Sequence, residues 1–340
     1  MALLDEYNRP LSSLRVSVTD RCNLRCGYCM PEEHYAWLPR RDLLSFEEVA
    51  RLVEAFCALG VRKLRLTGGE PLLRRELENL ISLFAAQGVL EDLALTTNGL
   101  LLEESAPRLF DAGLGRVTVS LDSLRRERFA RLSKRDELDA VLRGIEVARE
   151  VGFCGTKIDT VVLRGVNDDE LVDLLEYGKR VESEVRFIEY MDVGGATQWS
   201  ADAVVSRNQM LALIERHYGA VEALAKTDTA PADRYRLPDG TLFGIIASTT
   251  APFCGACDRS RLTADGTWYS CLYASSGLDL RAPLREGATG AELAATLSES
   301  WRRRKDRGAE ERLALDDRGA LLAADFLARD PRLEMHTRGG

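Results

Sequence analysis

Six short apolar runs separated by helix-patterned stretches restrict this chain more than any other feature of its sequence. The runs are LRVSV (14–18), LRL (64–66), LAL (93–95), VTVSL (117–121), IDTVVL (158–163) and VRFIEY (185–190). Between the first two lies SFEEVARLVEAFCAL (45–59), which sets Phe46, Val49, Leu52, Val53, Phe56 and Leu59 on one helical stripe. Ser45 with Glu48 reads as a capping box, and Gly60 as the stop. Gly88, Gly113 and Gly152 end later helical stretches in the same way. Strands that alternate with helices pair in parallel, so the pattern predicts an α/β fold, either a wound sheet or a barrel-like arc. In both, the loops leaving the strand C-termini carry the site. The cysteines at 22–29, TGGEP (67–71), TTNG (96–99) and Met191 all fall at or just past such an end. The candidate chemistry converges on one rim.

After about residue 200 the rhythm breaks. LPDGTLFGIIAS (237–248) and LTADGTWYSCLY (262–273) read as short strands joined by Asp-Gly turns, and charged helical segments dominate from 284. A length of 340 residues exceeds one ordinary core. The expected organisation is therefore a larger unit over 1–230 and a smaller C-terminal α+β domain over 231–340, divided in TDTAPADRY. The basic run WRRRKDR (301–307) reads as a solvated helix face. Net charge is −8, from 46 Lys+Arg against 54 Asp+Glu, so no global field draws nucleic acid and any anion must be gripped by local arginines. MALLDEYNRPLSS carries Asp5, Glu6 and Arg9 and no long apolar core, so neither a signal peptide nor a membrane span is expected. Eight cysteines without secretory features point to a reducing cytoplasm, where clustered thiols bind metal.

Two cysteine trios stand out. Cys22, Cys26 and Cys29 fall within eight residues. A cubane held by three thiolates keeps one iron open to an outside ligand, as a catalytic centre requires. The spacing also fits zinc completed by His34 or by a distant cysteine. Cys254, Cys257 and Cys271 form the second trio, and alone they fit zinc or iron–sulfur equally. Cys57 and Cys154 read as buried hydrophobes. Arg259 and Arg261 follow the second trio at a two-residue offset, which on a strand presents both guanidiniums to one face. Such forks bind phosphate, and no GxxxxGK[ST] loop exists to do so instead.

Cys-x3-Cys-x2-Cys with Tyr28 before the third cysteine, together with GGEP, resembles the radical S-adenosylmethionine superfamily. The resemblance implies a partial (β/α)6 TIM-like barrel and a [4Fe-4S] cluster on Cys22, Cys26 and Cys29. S-adenosyl-L-methionine would be chelated by the open iron and cleaved to a 5′-deoxyadenosyl radical. It implies cofactor contacts from the Tyr28 backbone, the Gly68-Gly69-Glu70 turn, Ser120 in VSLDS and Met191 in EYMD. Read alone, Ser120 is a backbone-satisfied strand serine and Met191 a core residue.

The pattern FCxxCxRxRLTxDG…C resembles the GTP 3′,8-cyclase family of molybdenum cofactor biosynthesis, over nearly the whole chain from LRVSVTDRC. This implies a second [4Fe-4S] cluster on Cys254, Cys257 and Cys271 whose open iron holds guanine. It implies GTP contacts from Arg15, Arg65, Thr96, Lys157, Arg259, Ser260 and Arg261. The implied reaction removes hydrogen from ribose C3′ and joins that carbon to guanine C8, giving (8S)-3′,8-cyclo-7,8-dihydroguanosine 5′-triphosphate. The product would pass to cyclic pyranopterin monophosphate synthase. A homodimer is the base-rate assembly. Gly339 and Gly340 match a Gly-Gly tail that reaches the site, although Thr337-Arg338 stands where apolar residues are expected. Two rivals remain. One is a peptide-modifying radical enzyme, which would typically use more cysteines than the five left after the first trio. The other is a non-catalytic metal-binding redox sensor.

Overall fold

The computed structural model describes residues 3–339. Its centre is a run of six parallel strands in sequence order: β1 (Ser13–Ser17), β2 (Lys63–Thr67), β3 (Asp92–Thr97), β4 (Arg116–Ser120), β5 (Lys157–Val162) and β6 (Glu184–Glu189). Each matches an apolar run of the sequence to within two residues. The capping box forms: Ser45 Oγ accepts from the Glu48 amide at 3.2 Å, and Glu48 Oε2 accepts from the Ser45 amide at 2.8 Å. The helix it starts, Phe46–Ala58, buries Val49, Leu52, Val53 and Phe56 against the outer face of the sheet.

The later strands are β7 (Glu222–Ala223), β8 (Asp233–Arg236), β9 (Leu242–Ile246), β10 (Arg259–Leu262), β11 (Thr267–Tyr269) and β12 (Leu278–Asp279). They extend the same sheet at both ends. β9 pairs parallel with β6 and carries β8 and β7 antiparallel beyond it. β10 pairs parallel with β1 and carries β11 and β12. The order is β12-β11-β10-β1-β2-β3-β4-β5-β6-β9-β8-β7, which stays open, so the fold is a partial barrel. Both Asp-Gly turns fall where expected, between β8 and β9 and between β10 and β11.

Strand alternation divides the side chains. Leu14, Val16, Leu64, Leu66, Leu93, Leu95, Val117 and Val119 point outward into the helix-covered core. The intervening residues face inward and are mostly polar. Helix Gly290–Arg302 packs Leu293, Leu297 and Trp301 into the same core, with Trp301 6.2 Å from Trp268 of β11 and Trp268 5.9 Å from Phe56.

The basic run at 301–307 differs from its expected solvated face. Trp301 anchors it inward, and Arg304 is 4% exposed, held by Asp306 at 3.1 Å and Asp5 at 3.6 Å. Cys57 is buried as expected; Cys154 is instead exposed, on the turn after helix Leu138–Val151. Among the described residues no helix is long and apolar enough to cross a membrane.

Candidate active site

One cavity of about 590 Å³ fills the inside of the arc. The register of the sheet builds its charged wall. Arg15 of β1 is the direct partner of Arg65 on β2 and of Arg261 on β10, so three guanidiniums lie side by side across adjacent strands about 4.8 Å apart. Arg259 stands one inward position along β10, and Lys157 enters from β5. Arg65 is aimed by two hydroxyls, donating to Thr96 Oγ1 at 2.9 Å and Thr118 Oγ1 at 3.0 Å.

These cations are uncomfortable without an anion. Burial, then the charges of Arg261 and Arg259, push Arg15 down to about 9. Burial and Arg15 bring Arg65 to about 9, and burial and Arg259 bring Arg261 to about 10. Burial, then Arg186 and Arg116, lower Lys157 to about 8. Like charges in a low-dielectric wall depress one another, and a polyanion reverses the effect.

The first cysteine trio lies on the loop after β1. The Cys29 and Met30 amides both donate to the Cys26 carbonyl, at 2.9 and 2.7 Å, which folds the cysteines into one tight turn. Burial pushes Cys22 up to about 11 and raises Cys26 and Cys29 further. As free thiols these groups stay protonated; a bound metal is what makes them thiolates. Tyr28 donates its hydroxyl to Asp122 Oδ2 at 2.7 Å, pinning the loop to the end of β4.

The Gly68-Gly69-Glu70 turn lies directly against this loop. The Gly69 amide donates to Thr19 O at 2.9 Å and the Glu70 amide to Arg21 O at 2.7 Å; a Cβ on Gly69 would overlap the Arg21 carbonyl. Glu70 accepts from the Thr97 hydroxyl and the Asn98 amide, both at 2.7 Å.

Cys254 and Cys257 sit on the turn entering β10, and Cys271 follows β11. Burial opposes ionisation of Cys257, but Arg259 and Arg304 outweigh it and bring the thiol to about 7. Arg259 Nη2 donates to its sulfur at 3.4 Å. Burial raises Cys254 and takes Cys271 up to about 11.

All six trio cysteines line the one cavity, together with Tyr28, Gly69, Ser120, Met191, Arg15, Arg65, Thr96, Lys157, Arg259 and Arg261. Ser260 does not join them. Alternation along β10 sends its side chain to the face of its register partner Leu14, where its Oγ is buried without a partner. His34, the suggested fourth ligand for zinc, is exposed and does not line the cavity. Among the described residues no three His, Cys, Asp or Glu side chains gather closely enough for a single metal ion. Three sulfur donors per trio, facing a shared space, fit a cluster with an open position.

The GTP 3′,8-cyclase 1 of Mycobacterium tuberculosis is 56% identical to this chain over 340 residues, covering 99% of it and 95% of the relative. The chain belongs to the GTP 3′,8-cyclase family. GTP 3′,8-cyclases of Acidothermus cellulolyticus and Staphylococcus aureus are 46% and 42% identical, over 94% and 91% of this chain and 91% and 93% of their own lengths. The Radical SAM superfamily model matches residues 16–178, and the Molybdenum Cofactor Synthesis C model residues 183–310. The crystal structure of Streptococcus suis SuiB bound to S-adenosylmethionine superposes with a TM-score of 0.59 at 15% identity, over 92% of this chain and 72% of that one, which establishes the fold.

In this GTP 3′,8-cyclase family member the cavity holds inward residues that the sequence reading left out. Lys63, Arg116 and Arg186 line it beside the expected cations, but Arg116 is paired with Asp92 at 2.7 Å and Arg186 with Glu184 at 2.8 Å. The sequence signal for two of them is strand spacing alone, which does not say that the inner face is enclosed. Lys63 is two residues before Arg65, and Arg116 is four before Ser120, both at even offsets on one strand.

The chain's end closes the wall. Arg261 Nη1 donates to the carbonyls of Gly339 and, at 3.2 Å, Arg338, and Arg15 Nη1 reaches Gly339 O at 3.5 Å. Thr337 and Arg338 are buried, with the Arg338 guanidinium 4.0 Å over the Tyr269 ring and donating to Leu272 O at 2.7 Å. The Arg338 guanidinium is thus accommodated by an aromatic face and a carbonyl, whereas the Thr337 hydroxyl is buried without a partner. Gly340 lies outside the described residues.

Proposed function

We propose that this chain converts GTP to (8S)-3′,8-cyclo-7,8-dihydroguanosine 5′-triphosphate in molybdenum cofactor biosynthesis. The observation that carries the reading is the single cavity bounded by two three-cysteine sets and a row of guanidiniums. Cys22, Cys26 and Cys29 would hold a [4Fe-4S] cluster, with S-adenosyl-L-methionine against the Gly69 turn, Tyr28, Ser120 and Met191. Bound there, cluster and cofactor would supply radical chemistry directed at the substrate ribose. Cys254, Cys257 and Cys271 would hold a second [4Fe-4S] cluster at the guanine end.

Arg15, Arg65, Lys157, Arg259 and Arg261 neutralise the triphosphate, and Thr96 keeps Arg65 aimed at it. Fixing both ends of the nucleotide leaves C3′ and C8 to meet by orientation. Ser260, assigned by resemblance, would act there through its backbone. The eight free cysteines support a cytoplasmic setting, and the product's next stop would be cyclic pyranopterin monophosphate synthase.

The test is anaerobic reconstitution followed by incubation with S-adenosylmethionine, reductant and GTP. The cyclic nucleotide should form, with about eight irons per chain. Replacing the second trio with alanine should halve the iron and abolish cyclisation while methionine and 5′-deoxyadenosine still appear. Iron loading without any cofactor cleavage would instead mark a redox sensor and defeat the reading.

A further inference from the structure

Most carboxylates around the cavity are occupied. Asp92 takes Arg116, Asp122 takes Tyr28 and the Val161 amide, Glu189 takes the Thr249 and Thr250 amides, and Asp258 takes the Ser12 and Thr229 hydroxyls. Asp159 differs. Among the described residues that line the cavity it is the one carboxylate with no hydrogen-bond donor, and its Oδ1 is fully buried. Its register partner Arg186, the obvious candidate to satisfy it, is turned to Glu184 at 2.8 Å instead. An orphaned buried carboxylate oxygen is costly, and at the wall of a cavity a bound ligand is one source of the missing donor.

Position says which donor. Asp159 is an inward residue of β5, one step rimward of Lys157 and one step below Val161, whose amide binds Asp122. Its charge acts on Arg15 and Arg65 on one side and on Asp122, beside Tyr28, on the other. It therefore lies between the cations of the triphosphate end and the loop of the first trio. A phosphate would be repelled there, and an apolar group would leave the carboxylate unpaired. A sugar hydroxyl satisfies it.

We propose that Asp159 accepts a hydrogen bond from a ribose hydroxyl in this cavity and so selects a ribonucleoside over its 2′-deoxy counterpart. The inference rests on the nucleotide reading of the site. Both substrate and cofactor carry a ribose, and the test separates them.

Anaerobically reconstituted protein, without reductant, is titrated calorimetrically with GTP and 2′-deoxy-GTP, and separately with S-adenosylmethionine and its 2′-deoxyadenosyl analogue. The wild type should prefer the ribo form of one pair by about tenfold or more, since a site built for a hydroxyl rejects the analogue lacking it. Asp159→Ala should bring that ratio near one, and Asp159→Asn, whose amide oxygen still accepts, should keep part of it. The pair that responds names the nucleoside.

No hydrogen bond within the protein is lost in either variant, and both give up equally the charge that favours Arg15 and Arg65, so the two should melt close to one another. Unchanged ratios in Asp159→Ala for both pairs would overturn the proposal. Failure of the wild type to bind either ribo ligand would instead defeat the nucleotide reading itself.

Discussion

Arg15, Arg65 and Arg261 come from sequence positions far apart, yet they form one row because three parallel strands share a register. Each is depressed by burial and by its neighbours, so an arriving triphosphate gains from all three together. Arg261→Ala removes the row's end and its hold on the Gly339 carbonyl. We expect the GTP KM to rise about tenfold or more, the loss of one desolvated charge-assisted pair, while reductive cleavage of S-adenosylmethionine stays measurable. An unchanged KM would remove Arg261 from the phosphate site.

Lys157 gives a second residue-scale prediction. Burial, with Arg186, Arg116 and Arg65 nearby and outweighing Glu184, brings it to about 8. Its charge in the empty site is therefore lost as pH rises through that value. GTP affinity should weaken between pH 7 and pH 9 in the wild type, and the slope should flatten in Lys157→Met. A titration of Kd against pH checks both. At this scale the even-offset pair Arg259 and Arg261 was legible. Lys63, Arg116 and Arg186 were not, because a lone strand cation reads as surface until the arc shows that the inner face is also enclosed.

At the scale of elements, local signals were strong wherever periodicity was long. The capped helix Phe46–Ala58 and the six central strands were readable from stripe, cap and run. The segment around Trp301 was not, because its charges suggested solvent while one indole decides its placement. Trp301 is fully buried, donates to Arg9 O at 3.2 Å, and lies beside Arg304, which donates to Cys257 O at 2.8 Å. Trp301→Ala should cost about 3–5 kcal/mol by denaturant unfolding, as large-to-small core changes do. It should also loosen the turn that presents Cys257, so reconstituted iron should fall toward that of the first trio alone. Full iron with the expected destabilisation would show the packing and the second trio to be independent.

The whole molecule depends on pairings that no local pattern announces. β10 is four residues long and finds β1 from the other end of the chain, and β9 pairs with β6 across an intervening helix and hairpin strands, so residues after 230 wall the same cavity as those before it. The tail then lies across the result. Gly339 has φ +67°, a left-handed conformation, and a Cβ there would overlap the Thr67 side chain just before the Gly68-Gly69 turn. Gly339→Ala therefore meets both backbone strain and a clash, and the cheapest relief is to lift the tail off Arg15 and Arg261. No core residue moves in that relief, so thermal stability should change by less than about 1 kcal/mol. GTP turnover should fall about tenfold or more if the tail helps to shape the phosphate wall, and Thr67→Ser, which removes the clashing methyl, should restore part of it. Measuring melting temperature and product formation in the single and double variants separates the cases. Wild-type turnover in Gly339→Ala would show that the tail's contact with the arginines is dispensable.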